Sequence, residues 1–197
     1  MQKAAPKESL AMPELSLYQF CMQIPLVMTV VGQDRPGLIE AVARIVGDHG
    51  GNWLESRMCR LGGEFAGILR VNVPAENKDK FVQSLGELKS EGLTVVVQPD
   101  VAMPQKAGSA ASLTLVGQDR PGIVREISHV IARHGVNIEE LETECSSAPM
   151  SGEMLFSAGA RLFIPQNCDV ANLRADLELI AADLQVEIRF EKASEIK

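Results

Sequence analysis

The sequence lacks the patterns that mark the commonest enzymes and metalloproteins. It contains no G-x-x-x-x-G-K-[ST], no G-x-S-x-G and no H-E-x-x-H segment, which argues against phosphate-binding loops, serine hydrolases and zinc proteases. Its four cysteines are far apart, with no C-x-x-C pair and no histidine at zinc-ligand spacing. We therefore expect a protein that is not an enzyme, with free thiols in a reducing cytoplasm and with neither a cofactor nor a metal ion.

Aromatic residues and positive charge are also scarce. Aromatics make up 4% of the 197 residues, and the net charge is −7. A protein that coats nucleic-acid phosphates needs a basic patch, so direct DNA binding is not expected. The most apolar N-terminal run, Leu15 to Val31, is interrupted by glutamines and a proline, which argues against a signal peptide or a membrane span.

An internal repeat is the strongest feature that is present. Val31 to Gly37 reads V-G-Q-D-R-P-G and recurs unchanged as Val116 to Gly122, an offset of 85 residues. The same offset relates two His-Gly pairs and two asparagines, namely His49-Gly50 with His134-Gly135 and Asn52 with Asn137. Such a repeat indicates a duplicated domain. The predicted organisation is a tail over 1–23, a first domain over 24–98, a linker over 99–110 and a second domain over 111–192.

Both copies have the same predicted order of elements, β-α-β-β-α-β. A short apolar strand precedes each repeated loop and an amphipathic helix follows it. We expect Pro36 and Pro121 in the first turn of these helices, with Asp34 and Asp119 as their caps. A Gly62-Gly63 turn predicts the first hairpin. The fold class is α+β, with two ferredoxin-like βαββαβ domains, each a four-stranded antiparallel sheet with two helices on one face.

The repeated loop is the candidate ligand site, because the free N–H groups and dipole of a helix start favour a carboxylate or phosphate. The loop acids, or Asn52 and Asn137 on what is expected to be the neighbouring strand, would accept an ammonium group. A purely structural interpretation stays open, because the same residues make good turn and cap chemistry.

Other polar residues also have two interpretations. Arg35 and Arg120 could clamp a carboxylate or could simply be solvated. His49 and His134 could be catalytic, although a histidine in the last turn of a helix more often complements the dipole. Residues 25–98 carry a net charge of −1 and residues 109–191 a net charge of −7. An acidic run in the second copy is expected to face solvent or a basic partner rather than a metal ion: Glu139, Glu140, Glu142 and Glu144.

The paired G-Q-D-R-P-G loops, each followed by an apolar helix and then by H-G-G-N or H-G-V-N, resemble those of tandem ACT domains, βαββαβ modules that bind amino acids at domain interfaces. Three segments of the first copy are similar to the family of glycine cleavage system transcriptional repressors: Asp34-Arg-Pro-Gly37, Asn52-Trp-Leu-Glu-Ser-Arg57 and Leu61-Gly-Gly-Glu-Phe65. The resemblance implies a homo-oligomeric regulator that responds to glycine or a similar small amino acid. It would act on a LysR-type transcription factor without binding DNA itself.

Together, the resemblance and the loop chemistry mark the candidate ligand-binding residues Gly32, Gln33, Asp34, Arg35, Gly37, Leu38, Asn52, Gly117, Gln118, Asp119, Arg120, Gly122, Ile123 and Asn137. The family keeps the motif less faithfully in its second copy than Gly117 to Gly122 does here, which leaves open a related regulator with another ligand. The alternative function is a constitutive scaffold or dimerisation module without a ligand response.

Overall fold

The computed structural model describes residues 22–101, 107–148 and 152–192. Most of the predicted tail, residues 102–106 of the predicted linker and residues 149–151 of the second hairpin loop lie outside the described residues. The chain divides into two compact units, Met1–Ala102 and Met103–Lys197, and each is described by itself.

The described residues of the first unit, 22–101, form four strands and two main helices. They are β1 (Gln23–Gln33), α1 (Leu38–Asp48), β2 (Asn52–Leu61), β3 (Glu64–Pro74), α2 (Lys78–Glu87) and β4 (Leu93–Pro99). Short 3-10 turns flank α2 at Ala75–Asn77 and Leu88–Glu91. The strands form one antiparallel sheet in the order β2-β3-β1-β4, so β1 and β3 are central and β2 lies at an edge.

The second unit repeats this plan. Its elements are β5 (Gly108–Gln118), α3 (Ile123–Arg133), β6 (Asn137–Ser147), β7 (Met154–Pro165), α4 (Val170–Leu184) and β8 (Val186–Lys192). The strand order is β6-β7-β5-β8, again antiparallel throughout. The predicted α+β class with two ferredoxin-like βαββαβ domains is confirmed.

The alternation of side chains along the strands explains why the sheets carry their helices on one face. On β1, Leu26, Met28 and Val30 are at most 1% exposed, whereas the intervening residues face away from the helices. Helix α1 contributes a buried stripe at helical spacing to the same core, which includes Leu38 and Val42. No buried polar side chain occurs among the described residues, so the cores of both units are entirely apolar.

Glycines shape each repeated loop at two positions. Gly37 is the N-cap of α1 at φ 94°, and Gly122 is the N-cap of α3 at φ 100°, a conformation that other residues adopt only with strain. At Gly32 the reason is different, because a Cβ there would lie 2.4 Å from the carbonyl oxygen of Gly92. The end of β1 therefore has to be glycine for the turn before β4 to approach it.

Replacing Gly32 with alanine is expected to destabilise the first unit, because its Cβ would overlap the Gly92 carbonyl. The expected loss in free energy of unfolding is about 1–3 kcal/mol. Urea unfolding followed by the fluorescence of Trp53, the one tryptophan of the chain, measures it. The matched control is Gly86→Ala on α2, where a Cβ meets nothing within 4 Å. We expect that control to be neutral or stabilising by about 0.5–1 kcal/mol, and equal losses in both variants would contradict the close-approach argument.

Candidate functional site

Each repeated loop lies where a central strand leaves the sheet and a helix begins. The backbone N–H of Asp34 donates to the carbonyl oxygen of Gly63 at 2.9 Å. In the second unit, the N–H of Asp119 donates to the carbonyl oxygen of Met154 at the same distance of 2.9 Å. Both loops are thus held against the hairpin of their own unit, which fixes the position of the helix start that follows.

The helix starts have no side-chain cap. The carbonyl oxygen of Gly37 accepts a hydrogen bond from Ala41 N–H at 2.9 Å, and that of Gly122 accepts one from Glu126 N–H at 3.0 Å. No side chain accepts a hydrogen bond from the first-turn N–H groups of α1 or α3 in the described residues. Those groups and the helix dipole are therefore available to a carboxylate or another anion.

The predicted roles of the loop prolines and aspartates in the helix start were wrong. Pro36 and Pro121 precede the helices, because a left-handed glycine comes between each proline and the first helical residue. That glycine also turns the chain so that neither Asp34 nor Asp119 caps the helix.

The two loop aspartates have different surroundings. Asp34 forms an ion pair with Arg60 of β2, with Oδ2 and Nε 2.6 Å apart. Arg60 lies opposite Phe65 in the β2–β3 register, and Cys145 holds the corresponding place opposite Phe156. Asp119 therefore has no arginine at the position from which Arg60 contacts Asp34.

The loop arginines contact the segment before the last strand of their unit. Arg35 donates from Nη2 to the carbonyl oxygen of Glu91 at 2.9 Å, and the same atom lies 3.4 Å from the Glu91 carboxylate. Arg120 donates from Nη2 to Oε1 of Gln185. Both guanidinium groups thus tie the loop to the turn that precedes β4 or β8, a contact that only the fold could reveal.

The structure separates the candidate asparagines from the loop of their own unit. The expectation that Asn52 lies on the strand next to β1 was wrong, because β3 lies between β2 and β1. Asn52 pairs with Asn72, which pairs with Pro25. Pro25 is eight positions from Gln33 along β1, or about 26 Å.

In the second unit, Asn137 has the same placement. It pairs with Phe163, which pairs with Ala110, eight positions from Gln118. Within one unit, therefore, the loop residues come together and the asparagine lies near the opposite end of the sheet.

The two repeated histidines link helices rather than line the loops. Nδ1 of His49 lies 2.8 Å from the carbonyl oxygen of Ile45, and its Nε2 lies 3.4 Å from Ser84 Oγ on α2. Nε2 of His134 lies 2.9 Å from Asp176 Oδ2 on α4. These contacts favour the structural interpretation of both histidines.

The acidic run of the second unit lies on the edge strand β6. Arg161 of β7 pairs with Glu139 at 3.1 Å and with Glu140 at 2.9 Å. In the described part of the chain, no three His, Cys, Asp or Glu side chains are grouped closely enough to hold a metal ion. Within the same residues, no helix is both long and apolar enough to cross a membrane.

The fold and the loops together define a tandem pair of ferredoxin-like modules. In each module, the first helix begins without a side-chain cap. The family model of the ACT domain matches residues 25–98 and again residues 112–191. The chain therefore belongs to the ACT domain family, as its repeated loops indicate.

Comparison with individual proteins gives a more specific similarity. The chain is 26% identical over 165 residues to the glycine cleavage system transcriptional repressor of Escherichia coli (strain K12). The aligned residues cover 82% of this chain and 86% of that relative. A crystal structure of an unknown protein from Galdieria sulphuraria is 28% identical, with a TM-score of 0.79 over 88% of this chain and 100% of the other. A second solved structure that carries the repressor's name has a TM-score of 0.65 at 18% identity, over 88% of this chain and 99% of its own, and supports the fold.

Sequence reasoning missed Arg60 and Gln185 as neighbours of the loops. Neither residue belongs to a repeated motif, because Cys145 replaces Arg60 in the second unit and the two loop arginines find different partners. The sequence did hold a signal for Arg60. When the offset of 85 residues is applied to strand β2, it shows that Arg60 in the first copy corresponds to Cys145 in the second.

The contact between His134 and Asp176 leads to a pH prediction. Hydrogen bonds from His134 and then from Arg133 hold the pKa of Asp176 below its usual value of 3.8. A carboxyl with a lowered pKa stabilises the fold at higher pH, so this contribution is present above pH 3.8 and is lost as the pH falls through the lowered pKa. We expect His134→Ala to raise the pKa of Asp176 towards its usual value, as measured by carboxyl carbon NMR.

The control for this measurement is His129→Ala, an exposed histidine on the same helix, α3. It is expected to leave the Asp176 titration unchanged. An Asp176 pKa that is equal in the wild type and in His134→Ala would contradict the assigned contact.

Proposed function

We propose that this protein is a non-enzymatic, cytoplasmic regulator that binds glycine or a similar small amino acid and acts through a LysR-type transcription factor. Membership of the ACT domain family and homology to a glycine cleavage system transcriptional repressor support a regulatory, amino-acid-sensing role. The three cysteines among the described residues, Cys59, Cys145 and Cys168, are free thiols, which is consistent with a reducing compartment.

The single observation that carries this proposal is the uncapped helix start that occurs in both units. An α-amino acid presents a carboxylate and an ammonium group close together. The N–H groups of Leu38, or of Ile123 in the second unit, would receive the carboxylate, since no side chain caps them. The nearby loop aspartate would accept the ammonium group, most readily at Asp119, which has no counterpart of Arg60.

Self-association completes this proposal. Asn52 and Asn137 lie about 26 Å along the sheet from the loop of their own unit, too far to contact the same small ligand. A second copy of the chain, packed with its strands in the opposite direction, would bring such an asparagine to the loop. We therefore propose a homo-oligomer in which an amino acid binds between copies and alters the surface presented to the transcription factor.

Glycine binding is the first test. Asp34→Asn with Asp119→Asn removes the negative charge from both candidate ammonium acceptors and is expected to weaken binding by about tenfold or more, because each hydrogen bond to a charged group contributes about 1.5–3 kcal/mol. Isothermal titration calorimetry of the full chain against the twenty amino acids measures this effect. Glu178→Gln, a change of an exposed acid on α4, is the matched control and should bind like the wild type. Absence of binding by every amino acid at millimolar concentration would contradict the sensor function.

The transcription-factor partner is tested separately, with a purified LysR-type activator on its promoter DNA. We expect the protein to change the mobility of the activator–DNA complex in an amino-acid-dependent manner, and to shift no DNA by itself. A change in mobility that is the same with and without amino acid would instead favour the constitutive scaffold.

A further inference from the structure

The first sheet has an apolar centre on its outer face, which is the face turned away from α1 and α2. Val31, Ile68 and Val96 lie on this face and are 43%, 54% and 51% exposed. Val30 and Leu69, their neighbours along the chain, point into the core and are at most 1% exposed. Large apolar side chains grouped on a surface usually mark an interaction site. This outer face therefore needs an occupant that shields it from water.

The strand registers give the composition of the first outer face row by row. Three consecutive rows cross β2, β3, β1 and β4 in that order: Cys59, Ala66, Val31 and Thr94; Arg57, Ile68, Thr29 and Val96; and Glu55, Arg70, Val27 and Gln98. Nη1 of Arg57 lies 3.2 Å from Oε1 of Glu55. Nη2 of Arg70 lies 2.6 Å from Oδ2 of Asp100, beside the third row. The charges at this border therefore balance, and the centre is apolar.

The corresponding face of the second sheet is charged. Its rows cross β6, β7, β5 and β8: Glu144, Ser157, Val116 and Glu187; Glu142, Gly159, Thr114 and Arg189; and Glu140, Arg161, Ser112 and Glu191. Five carboxylates and two guanidinium groups make this second outer face suitable for contact with solvent. Because both units have the same sheet plan, the apolar centre of the first outer face is not a requirement of the fold.

The charge pattern restricts what can cover the first outer face. An occupant has to be apolar and close to neutral, because charges that are buried without partners are costly. The second outer face, with its excess of carboxylates, does not meet this requirement. The first outer face of another copy meets it, since its centre is apolar and its arginines already have carboxylate partners. Contact of one patch with the same patch across a twofold axis is also the commonest arrangement in homo-oligomers.

The area of the first outer face is sufficient for such a contact. Four strands, and the nine positions from Pro25 to Gln33 along β1, give a face of about 19 Å by about 26 Å, or about 500 Å² in each copy. Two copies therefore bury about 1,000 Å², which is the lower limit for a specific interface. An interface of this size indicates a reversible dimer rather than a permanent one.

We propose that the first outer face is a self-association surface, on which the first unit of a second copy packs sheet against sheet across a twofold axis. This assignment rests on the self-association within the proposed function, for which it names the surface. It uses neither of the ligand loops, so amino-acid binding and dimerisation can be tested separately.

Sedimentation velocity of the full chain is the first part of the experiment. We expect an equilibrium between one and two chains at about micromolar concentration. Val31→Lys introduces a charge that the dimer would bury, and is expected to weaken dimerisation by at least about tenfold. Val116→Lys is the matched control, because it changes the same residue of the repeated segment on the charged second outer face, beside Glu187. It should dimerise like the wild type.

A second substitution and a check of folding accompany this measurement. Ile68→Lys changes the middle row of the first outer face and is expected to weaken the dimer as Val31→Lys does. Circular dichroism during thermal unfolding shows whether each variant is folded. Ile68→Lys serves as the test if Val31→Lys is not folded.

Maleimide labelling of cysteine is the second part, because it reports which face becomes covered. Cys59 lies on the first outer face, whereas Cys145 is exposed on the helix side of the second sheet, opposite the buried Phe156. With reagent in excess, we expect Cys59 to react several times more slowly in the dimer than in dilute solution, while Cys145 reacts equally in both. In Val31→Lys, Cys59 should react at the dilute rate throughout. Mass spectrometry of peptides measures both rates.

The outcomes separate this inference from the function on which it rests. A dimer that Val31→Lys dissociates and that protects Cys59 supports the assignment. A single chain at every concentration overturns it, and protection of Cys59 in that single chain shows that another part of the same chain covers the face. A dimer that persists in both lysine variants, or that leaves Cys59 reactive, overturns the surface but not self-association. A single chain that binds glycine overturns this inference and leaves the sensor function standing.

Discussion

The left-handed glycine before each first helix is the constraint on which the candidate site depends. At φ 94° for Gly37 and 100° for Gly122, a residue with a Cβ is strained, so the position is closed to the serine, threonine or aspartate that usually caps a helix. The helix consequently starts with its N–H groups unpaired by side chains. A strand end tied to its hairpin then holds this start in a fixed place, which prepares it for an anion.

Duplication kept this constraint but not the surroundings. The first unit pairs its loop aspartate with Arg60 and closes its core with side chains such as Leu69 and Met58. In the second unit, the smaller Ala160 stands at the register position of Leu69, and Cys145 stands at that of Arg60. One backbone design therefore supports two chemically different environments in one chain. The acidic excess also lies in the second copy, so the two domains present different surfaces to a partner.

The repeat and its periodicity made the element order, the sheet architecture and the place of the loops predictable from sequence. Local patterns were insufficient where geometry depends on a left-handed residue or on strand register. The first helices begin after the predicted position, because the left-handed Gly37 and Gly122, rather than the prolines and aspartates, are their N-cap residues. The predicted position of Asn52 was wrong, because the order of strands in a sheet is a long-range property that spacing along the chain does not reveal.

The central claim is that an amino acid binds with its carboxylate on an uncapped helix start. Two-dimensional amide NMR of the full chain during amino-acid titration tests this claim most directly, because a carboxylate that accepts a hydrogen bond changes the shift of the N–H group that donates it. The account predicts that, with glycine or a similar small amino acid, the largest saturable shifts occur at the backbone N–H groups of the helix starts, Leu38 and Ile39 in the first unit or Ile123 and Val124 in the second. Saturable shifts confined to residues away from both helix starts would contradict it.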